Sequence, residues 1–260
     1  MHRVTAEQIR KRKSETPIAM MTAYDAAFAR IAEAAGIDVL LVGDSLGMVV
    51  LGYGDTAHVE LADIIRHTGA VARGTERAHI VADLPFGSYQ AGDEEAVRSA
   101  VALVKAGATS VKLEGSAEMA SRVRAIVGAG IPVMAHIGVR PQTAALDSGF
   151  RKQRDVAVLL RDARAHAAAG AYALLLEMVG DEAAAEVTAE LPIPTIGIGA
   201  GPSCDGQVLV LHDVLGLYPN PPSFVRRYAD LGTIATDALR TYAEEVRTKR
   251  FPGSLAAPAR

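Results

Sequence analysis

The chain has 260 residues, of which 50% are hydrophobic and 22% are charged, a composition typical of a globular protein with a large core. Its net charge of -3 gives no support to nucleic-acid binding. No apolar run approaches the roughly 20 residues that cross a bilayer, so no membrane role is expected. The single cysteine, Cys204, cannot form an intrachain disulfide, and the N-terminal segment is too charged for a signal peptide. We therefore expect a cytoplasmic protein.

The first half of the chain alternates short apolar runs with amphipathic segments. Thr5 and Gln8 have capping-box spacing, which predicts a short first helix. Asp25 can cap a helix that Gly36 ends. Residues 47–60 contain three glycines without a clear period and are predicted to form a long loop. Strands are predicted at 18–22, 38–42, 79–82 and 109–113, and helices at 61–73, 93–106 and 117–127.

The second half continues the alternation. A helix is predicted from Asp155 to Gly170. Residues 207–212 could form a strand or a helix, because their periodicity does not distinguish the two. The remaining segments are predicted as strands at 132–139, 172–178 and 195–201, a loop at 140–154, a short helix before Pro194, and helical structure over 221–250.

Eight strand-like segments alternating with helices predict parallel strands with helical crossovers. A closed (β/α)8 TIM barrel fits this count and the chain length best. An open doubly wound sheet is the alternative. We expect one barrel domain over residues 1–260, with an N-terminal helix and a C-terminal helical extension.

Polar residues follow one predicted strand after another. They are Asp44, Asp83, Glu114, His136 and Glu177. Catalytic groups of such barrels lie at the carboxyl ends of the strands, so these five side chains are expected to converge on one mouth. Each one alone could be a helix cap, a solvated charge or a core histidine.

The acidic members form a set of oxygen ligands. Asp44, Asp83 and Glu114 suit a hard divalent cation such as Mg²⁺, which keeps several waters and takes few carboxylates directly. No closely spaced histidine and cysteine residues suggest zinc. His136 is expected to support the ligands without binding the metal itself.

Two further residues have a catalytic and a structural interpretation. Lys112 and Glu114 are two apart on a strand and point to the same side. Lys112 could form a salt bridge across the mouth or neutralise a substrate carboxylate or enolate. Glu177 follows three leucines, and burial there would raise its pKa toward that of a general base. Alternatively, Glu177 simply reaches water.

Several sequence blocks together resemble the ketopantoate hydroxymethyltransferase (3-methyl-2-oxobutanoate hydroxymethyltransferase) family of pantothenate synthesis. The resemblance covers almost all of residues 4–252, with the blocks in the expected order. These blocks read MTAYDAAFARIAEAAGIDVLLVGDSLGMV, ADLPF, VKLEG, HIGVRPQ, LLLEMV and PTIGIGAGPSCDGQVLVLHD. The segment GFRKQRD, from Gly149, departs from the family pattern.

The resemblance implies a barrel of the phosphoenolpyruvate mutase and isocitrate lyase type, assembled as a homodecamer, a pentamer of dimers. It implies Mg²⁺ and the co-substrate 5,10-methylenetetrahydrofolate, with a small 2-oxo acid as the other substrate. By resemblance, Asp44, Asp83 and Glu114 surround the metal. The keto acid contacts Asp44, Ser45, Asp83 and Lys112. Glu177 matches the proton acceptor of a hydroxymethyl transfer to 3-methyl-2-oxobutanoate.

Two other functions remain open at this stage. The same metal apparatus could serve a carbon–carbon lyase or mutase acting on another 2-oxo acid. The lyase relatives usually present a catalytic cysteine in a loop, and here only Cys204 is available. A non-enzymatic metal or pterin binder would leave Glu177 with an ordinary pKa.

Overall fold

A computed structural model describes residues 3–144, 146 and 149–253. The chain divides into two compact units, with the boundary between Val210 and Leu211. The first unit contains every strand of the sheet, and the second contains the C-terminal helices. The predicted organisation as one barrel domain with a helical extension stays a prediction.

Eight parallel strands close into a barrel in the order of the sequence. The strands are β1 (Ile18–Thr22), β2 (Val39–Val42), β3 (His79–Asp83), β4 (Ser110–Glu114), β5 (Val133–Gly138), β6 (Ala173–Glu177), β7 (Thr195–Ile198) and β8 (Gly206–Leu209). Pairing of β1 with β8 closes the ring. The predicted (β/α)8 barrel is confirmed, and the alternative of an open sheet is wrong.

Alternate residues of β2, β3, β5 and β6 enter two different hydrophobic clusters. Leu41 and Val81 belong to a cluster that draws on strands all around the ring and fills its interior. Leu40 and Ile80 belong to the cluster that packs against the surrounding helices. Because side chains alternate across a strand, a strand buried on both faces reads as a continuous apolar run. That explains why VLLV in β2 predicted a buried strand.

The helices of the first unit cover the barrel and its ends. They are α1 (Ala6–Arg10), α2 (Ala26–Ala34), α3 (Leu46–Val49), α4 (Leu61–Gly74), α5 (Asp93–Ala106), a 3-10 helix (Ala117–Met119), α6 (Ala120–Gly128), α7 (Pro141–Ala144), α8 (Val156–Ala168) and α9 (Asp181–Glu190). Thr5 and Gln8 form the expected capping box of α1. Asp25 caps α2, and Asp155 caps α8. No helix in the described part of the chain is long and apolar enough to cross a membrane.

Several boundaries differ from the predictions. The predicted loop at 47–60 begins inside the short helix α3, and the loop at 140–154 contains α7. Three residues of that second loop, 145, 147 and 148, lie outside the described residues. The ambiguous segment 207–212 contains both structures, since residues 207–209 belong to β8 and residues 211–212 begin a short helix. β7 and β8 are joined without a helix, so the alternation breaks once.

The second unit contains α10 (Leu211–Val214) and α11 (Leu231–Arg247). The prediction of helical structure over 221–250 is therefore wrong for residues 221–230, which are irregular. That stretch begins with Pro221 and Pro222, which lack the backbone N–H that a helix interior needs. No residue of α11 is buried.

Candidate active site

The predicted polar residues lie together at the carboxyl ends of the strands, a region we call the barrel mouth. It is formed by Asp44, Asp83, Lys112, Glu114, His136 and Glu177. Asp83, Glu114 and Glu177 are the last residues of β3, β4 and β6, and Asp44 comes two residues after β2. The strand register explains this convergence, since it aligns Asp83 with Lys112 and Glu114 with His136.

Asp83 occupies the centre of the acidic cluster. Its Oδ1 accepts a hydrogen bond from Nζ of Lys112 in a buried ion pair, and its Oδ2 accepts the backbone N–H of Asp44 at 3.1 Å. Both carboxylate oxygens therefore have a donor. Asp83 and Lys112 are nearly inaccessible to solvent, at 1% and 4% exposure. The pair ties β3, β4 and the turn after β2 together.

Glu114 and His136 meet without a hydrogen bond. Nε2 of His136 donates to the carbonyl oxygen of Val139 at 2.8 Å, so in the neutral ring Nδ1 carries no proton. Nδ1 lies 3.6 Å from Oε2 of Glu114, and neither atom has a hydrogen-bond partner. Two buried acceptors that face each other require a proton, a bound donor or a cation between them.

Glu177 lies on the opposite side of His136 and retains some access to solvent. Its Oε2 is 3.6 Å from Nε2 of His136, and its side chain is 18% exposed. The next residue, Met178, has φ of 50°, a conformation that costs a residue other than glycine roughly 1–2 kcal/mol. Gly138 approaches so closely that a Cβ there would lie 2.3 Å from the carbonyl oxygen of Glu177. The backbone around Glu177 is thus held in a special conformation, as is common at functional sites.

Ser45 stands beside this cluster at the start of α3. Its hydroxyl shares a hydrogen bond of 2.9 Å with the hydroxyl of Tyr24. The turn is tight, because a Cβ on Gly43 would lie 3.1 Å from Oγ of Ser45 and 3.5 Å from Oδ2 of Asp83. The structure thus places Ser45 next to the acidic group.

Two residues of the site were not predicted from the sequence. Gln142, in α7, donates from Nε2 to Oδ2 of Asp44 at 2.8 Å, and its backbone N–H donates to Oε1 of Glu114 at 2.8 Å. The hydroxyl of Tyr89 lies 2.8 Å from both Oε1 of Gln142 and the carbonyl oxygen of Glu114, which share its single proton. Gln142 lies within the block HIGVRPQ, which was the available signal, but it follows no strand directly.

Burial and crowding of like charges govern ionisation in the mouth. Desolvation, reinforced by repulsion from Asp83, raises the pKa of Asp44 to about 7. Desolvation and then Asp44 raise the pKa of Glu114 well above its usual value. Burial opposes the charge of Lys112, but the surrounding carboxylates raise its pKa overall. Burial, followed by repulsion from Lys112, lowers the pKa of His136 well below its usual value, so the ring is neutral.

Glu177 shares the raised pKa of Asp44 and Glu114 but keeps more access to solvent. Desolvation is the main cause, and it raises the pKa to about 8 despite the opposing attraction of Lys112. A carboxylate with a pKa near neutrality can accept a proton from a weak carbon acid and later return it. The interpretation of Glu177 as an ordinary solvated side chain does not fit this environment.

The chemistry of the mouth fits a hard divalent cation. Four carboxyl groups face one ammonium, so the mouth becomes anionic once more than one of them ionises, and Oε2 of Glu114 is buried without a donor. Within residues 3–144, 146 and 149–253, no three His, Cys, Asp or Glu side chains are arranged as a complete ligand set for one ion. Mg²⁺ needs no such cage, because it keeps several waters and binds one or two carboxylates directly.

Solved structures with the same fold come from enzymes that act on small acids. A phosphonopyruvate hydrolase in complex with oxalate and Mg²⁺ matches with a TM-score of 0.64 and 15% identity, over 99% of this chain and 92% of that one. A 2,3-dimethylmalate lyase of the phosphoenolpyruvate mutase and isocitrate lyase superfamily matches with a TM-score of 0.61 and 21% identity, over 98% and 92%. At these identities the likeness establishes the fold alone.

The sequence itself gives a far closer match. The family model described as ketopantoate hydroxymethyltransferase matches residues 3–254. The chain belongs to the ketopantoate hydroxymethyltransferase family. A 3-methyl-2-oxobutanoate hydroxymethyltransferase of Aeropyrum pernix is 53% identical over 255 residues, which cover 96% of this chain and 93% of the relative. The enzyme of the same name from Ignicoccus hospitalis is 50% identical, over 97% and 98%.

The family resemblance expected from the sequence blocks is thereby confirmed. Membership in the ketopantoate hydroxymethyltransferase family makes the chain an enzyme of the transferase class. The individual roles of the mouth residues are not fixed by membership, and they stay predictions.

Proposed function

We propose that this chain transfers a hydroxymethyl group from 5,10-methylenetetrahydrofolate to 3-methyl-2-oxobutanoate, forming 2-dehydropantoate (ketopantoate) for pantothenate and coenzyme A synthesis. Near 50% identity over almost the whole chain, to relatives named for this activity, supports the assignment. The reaction balances when the 2-oxo acid, the methylene donor and one water give ketopantoate and tetrahydrofolate.

Asp44, Asp83 and Glu114 would hold Mg²⁺, in part through water molecules. Asp83 is already paired with Lys112, whereas Glu114 offers an oxygen without a donor. The bound cation would acidify the C3 hydrogen of a chelated 2-oxo acid and stabilise the negative charge that its loss leaves. The anionic mouth would otherwise repel a 2-oxo acid, so the cation also makes substrate binding electrostatically possible.

The side chains of the mouth divide the remaining work. Lys112 and Ser45 bind the keto acid, with the ammonium of Lys112 offsetting its negative charge. A carboxylate oxygen of Glu177 takes the proton from C3, and the electrons of that C–H bond form the enolate. C3 then bonds to the methylene carbon as one of its two C–N bonds opens. Water displaces the remaining nitrogen and leaves the hydroxyl on that carbon. The proton taken from C3 and one proton of the water end on the two nitrogens of tetrahydrofolate. His136, neutral and held by Val139, separates Glu177 from Glu114.

One observation supports the role of Glu177 most strongly. It combines a pKa raised to about 8 with contact to His136 and a side chain that still reaches solvent. A general base must be basic enough to take a proton from a weak carbon acid and must be reachable by the substrate. The other carboxylates of the mouth are more deeply buried and have hydrogen-bonded or ion-paired oxygens.

Product formation tests this function directly. The purified chain is incubated with 3-methyl-2-oxobutanoate, Mg²⁺ and 5,10-methylenetetrahydrofolate, and products are identified by mass spectrometry. We expect a keto acid one hydroxymethyl group heavier, which forms only when all three are present. Turnover of the keto acid without folate would contradict the assignment.

A carbon–carbon lyase is the second candidate, because the 2,3-dimethylmalate lyase shares the fold. Its 21% identity is far below that of the named transferases. Cys204 also lies between β7 and β8, its pKa is raised by burial, and a thiol with a raised pKa is poorly suited to catalysis. Cleavage of 2,3-dimethylmalate by the chain would support the lyase.

Assembly and location follow from the family resemblance. We propose a homodecamer built as a pentamer of dimers, working in the cytoplasm. Exposed apolar side chains on α11, among them Ile234, Leu239 and Tyr242, favour association between copies. Sedimentation velocity measures this state, and a monomer at micromolar concentration would contradict the proposed assembly.

A further inference from the structure

Gln142 contacts two of the four carboxyl groups of the mouth through two different groups of its own. Its backbone N–H donates to Oε1 of Glu114, and its side-chain Nε2 donates to Oδ2 of Asp44, each at 2.8 Å. Asp44 follows β2 and Glu114 ends β4, so one residue joins ligand candidates from two separate strands. Gln142 is only 3% exposed, and water therefore does not compete for these bonds.

The surroundings of Gln142 allow its side-chain amide only one orientation. Nε2 faces two acceptors, Oδ2 of Asp44 and the carbonyl oxygen of Leu84 at 3.0 Å. Oε1 faces the hydroxyl of Tyr89 at 2.8 Å and the amide of Gln90 at 3.5 Å. A flipped amide would place an oxygen against a carboxylate and a carbonyl, which repel it.

These bonds use one oxygen of each carboxylate. Oε1 of Glu114 and Oδ2 of Asp44 are occupied by Gln142, whereas Oε2 of Glu114 is buried and has no donor. Both carboxyl groups are thereby fixed in rotation as well as in position. Hydrogen bonds of this kind orient ligands and adjust the affinity of a metal site.

We infer that Gln142 is a positioning residue that holds Asp44 and Glu114 in place for a divalent cation, with its own amide oriented by Tyr89. The inference rests on the proposed function, since it assumes that these carboxylates hold the cation. Gln142 itself touches neither the substrate nor the reacting carbon. Its contribution is the arrangement of the carboxylates before the cation arrives.

Binding of Mn²⁺, measured by the electron paramagnetic resonance signal of the free ion without keto acid or folate, tests the inference. Gln142→Met keeps the length of the side chain and the backbone bond to Glu114 but removes both side-chain donors. We expect its dissociation constant for Mn²⁺ to rise about 10- to 100-fold. Gln207→Met is the matched control, because Gln207 is exposed and its amide donates to the carbonyl oxygen of Gly201, away from the mouth carboxylates. A change within twofold is expected there.

Kinetics separate positioning from a general structural role. In Gln142→Met, the Mg²⁺ concentration for half-maximal activity should rise, and kcat should recover in part at saturating Mg²⁺. A purely structural defect would lower kcat at every Mg²⁺ concentration. Tyr89→Phe removes the hydroxyl that orients the Gln142 amide but leaves the N–H donors of Gln142 in place. It should also weaken Mn²⁺ binding, by a smaller factor. The Tyr89→Phe variant also tests the inference if Gln142→Met fails to fold.

Two negative results have different meanings. If the unmodified chain bound no Mn²⁺, the metal site of the proposed function would be wrong. If the unmodified chain bound Mn²⁺, a folded Gln142→Met with the same affinity within twofold would overturn the positioning role alone. If only Tyr89→Phe folds, unchanged Mn²⁺ affinity in that variant would overturn the positioning role of Gln142.

Discussion

The two ends of the barrel bury polar side chains in opposite ways. At the amino ends, His79 donates from Nδ1 to the carbonyl oxygen of Val4 at 2.9 Å, and its Nε2 lies 2.8 Å from the hydroxyl of Ser110. The hydroxyl of Tyr172 completes this group, which we call the barrel base, at 3.0 Å from that of Ser110. Every polar side-chain atom of the base has a partner. In the mouth, Glu114 and His136 each leave a buried atom without one.

The difference shows what each end contributes. A satisfied polar network fixes the N-terminal segment against the strands and stabilises the fold. A crowded, incompletely satisfied cluster lowers stability unless something else binds there. The charges of the two ends follow the same contrast. Burial lowers the pKa of His79 to about 4 and leaves the barrel base uncharged, whereas the mouth retains the charged pair of Lys112 and Asp83. The following experiments test this contrast.

The largest effect is expected at Glu177. Glu177→Gln keeps the shape of the side chain but cannot accept a proton from carbon, so turnover should fall by about 10²- to 10⁴-fold. The free energy of unfolding should not fall, because burial disfavours the charged form of Glu177 and the substituted amide carries no charge. Steady-state kinetics and thermal unfolding measure both. The control is Glu182→Gln, at an exposed position of α9, and it should keep full activity. Normal turnover by Glu177→Gln would exclude Glu177 as the base.

Two lysine–carboxylate pairs, Lys112 with Asp83 fully buried and Lys13 with Asp205 partly buried, offer a comparison. Lys112→Met leaves Asp83 among other carboxylates, and without divalent cation it should lower the free energy of unfolding by about 3–5 kcal/mol. Lys13→Met, which breaks the pair with Asp205, should cost less, because Asp205 keeps hydrogen bonds from the backbone N–H groups of Ser14 and Thr195. Chemical denaturation measures both losses. Equal losses would contradict the contrast between the two pairs, and only Lys112→Met should also abolish turnover.

The barrel base should affect stability without affecting catalysis. His79→Leu leaves the carbonyl oxygen of Val4 and the hydroxyl of Ser110 without the ring, which should cost about 1–3 kcal/mol of unfolding free energy. We expect kcat and the Mg²⁺ requirement to stay within twofold. A large drop in kcat with little loss of stability would show that the barrel base takes part in the reaction.

The smallest effect concerns pH. Above pH 7, Asp44 and Glu177 keep a fraction of their protons in the folded state, because their pKa values are raised to about 7 and about 8, whereas the unfolded carboxylates are fully ionised. The folded state then binds more protons, so without divalent cation stability should fall by on the order of 1–3 kcal/mol from pH 7 to 9. His79 does not contribute, because it is neutral in both states there.

Denaturation at several pH values measures this fall. Added Mg²⁺ should reduce it, because a cation stabilises the ionised carboxylates. Stability that is constant or rises over this range without cation would contradict the raised pKa values.

Much of the fold could be predicted because local signals were strong. The buried run VLLV, the caps Asp25 and Asp155, and the helix ending before Gly107 all formed as expected. Short elements were missed, because the four residues of α3 or α7 are too few to show a helical period. The irregular stretch at 221–230 was also missed, since its apolar and charged residues imitate a helix.

The site was predictable where its residues end strands and hidden where they do not. Asp44, Asp83 and Glu114 could be found because parallel strands bring their carboxyl ends together. Gln142 could not, since its role depends on how α7 folds back over the mouth to reach two carboxylates far away in sequence. The unpartnered atoms of Glu114 and His136 are likewise visible only in three dimensions.

Hydrogen exchange at C3 of 3-methyl-2-oxobutanoate in deuterated water, followed by nuclear magnetic resonance without folate, tests the central claim most directly. The unmodified chain with Mg²⁺ should catalyse exchange, chelation of Mg²⁺ should stop it, and Glu177→Gln should bind the keto acid without exchanging its C3 hydrogen. Undiminished exchange in Glu177→Gln, or exchange that does not depend on the cation, would contradict proton removal by Glu177 in a metal-assisted mouth.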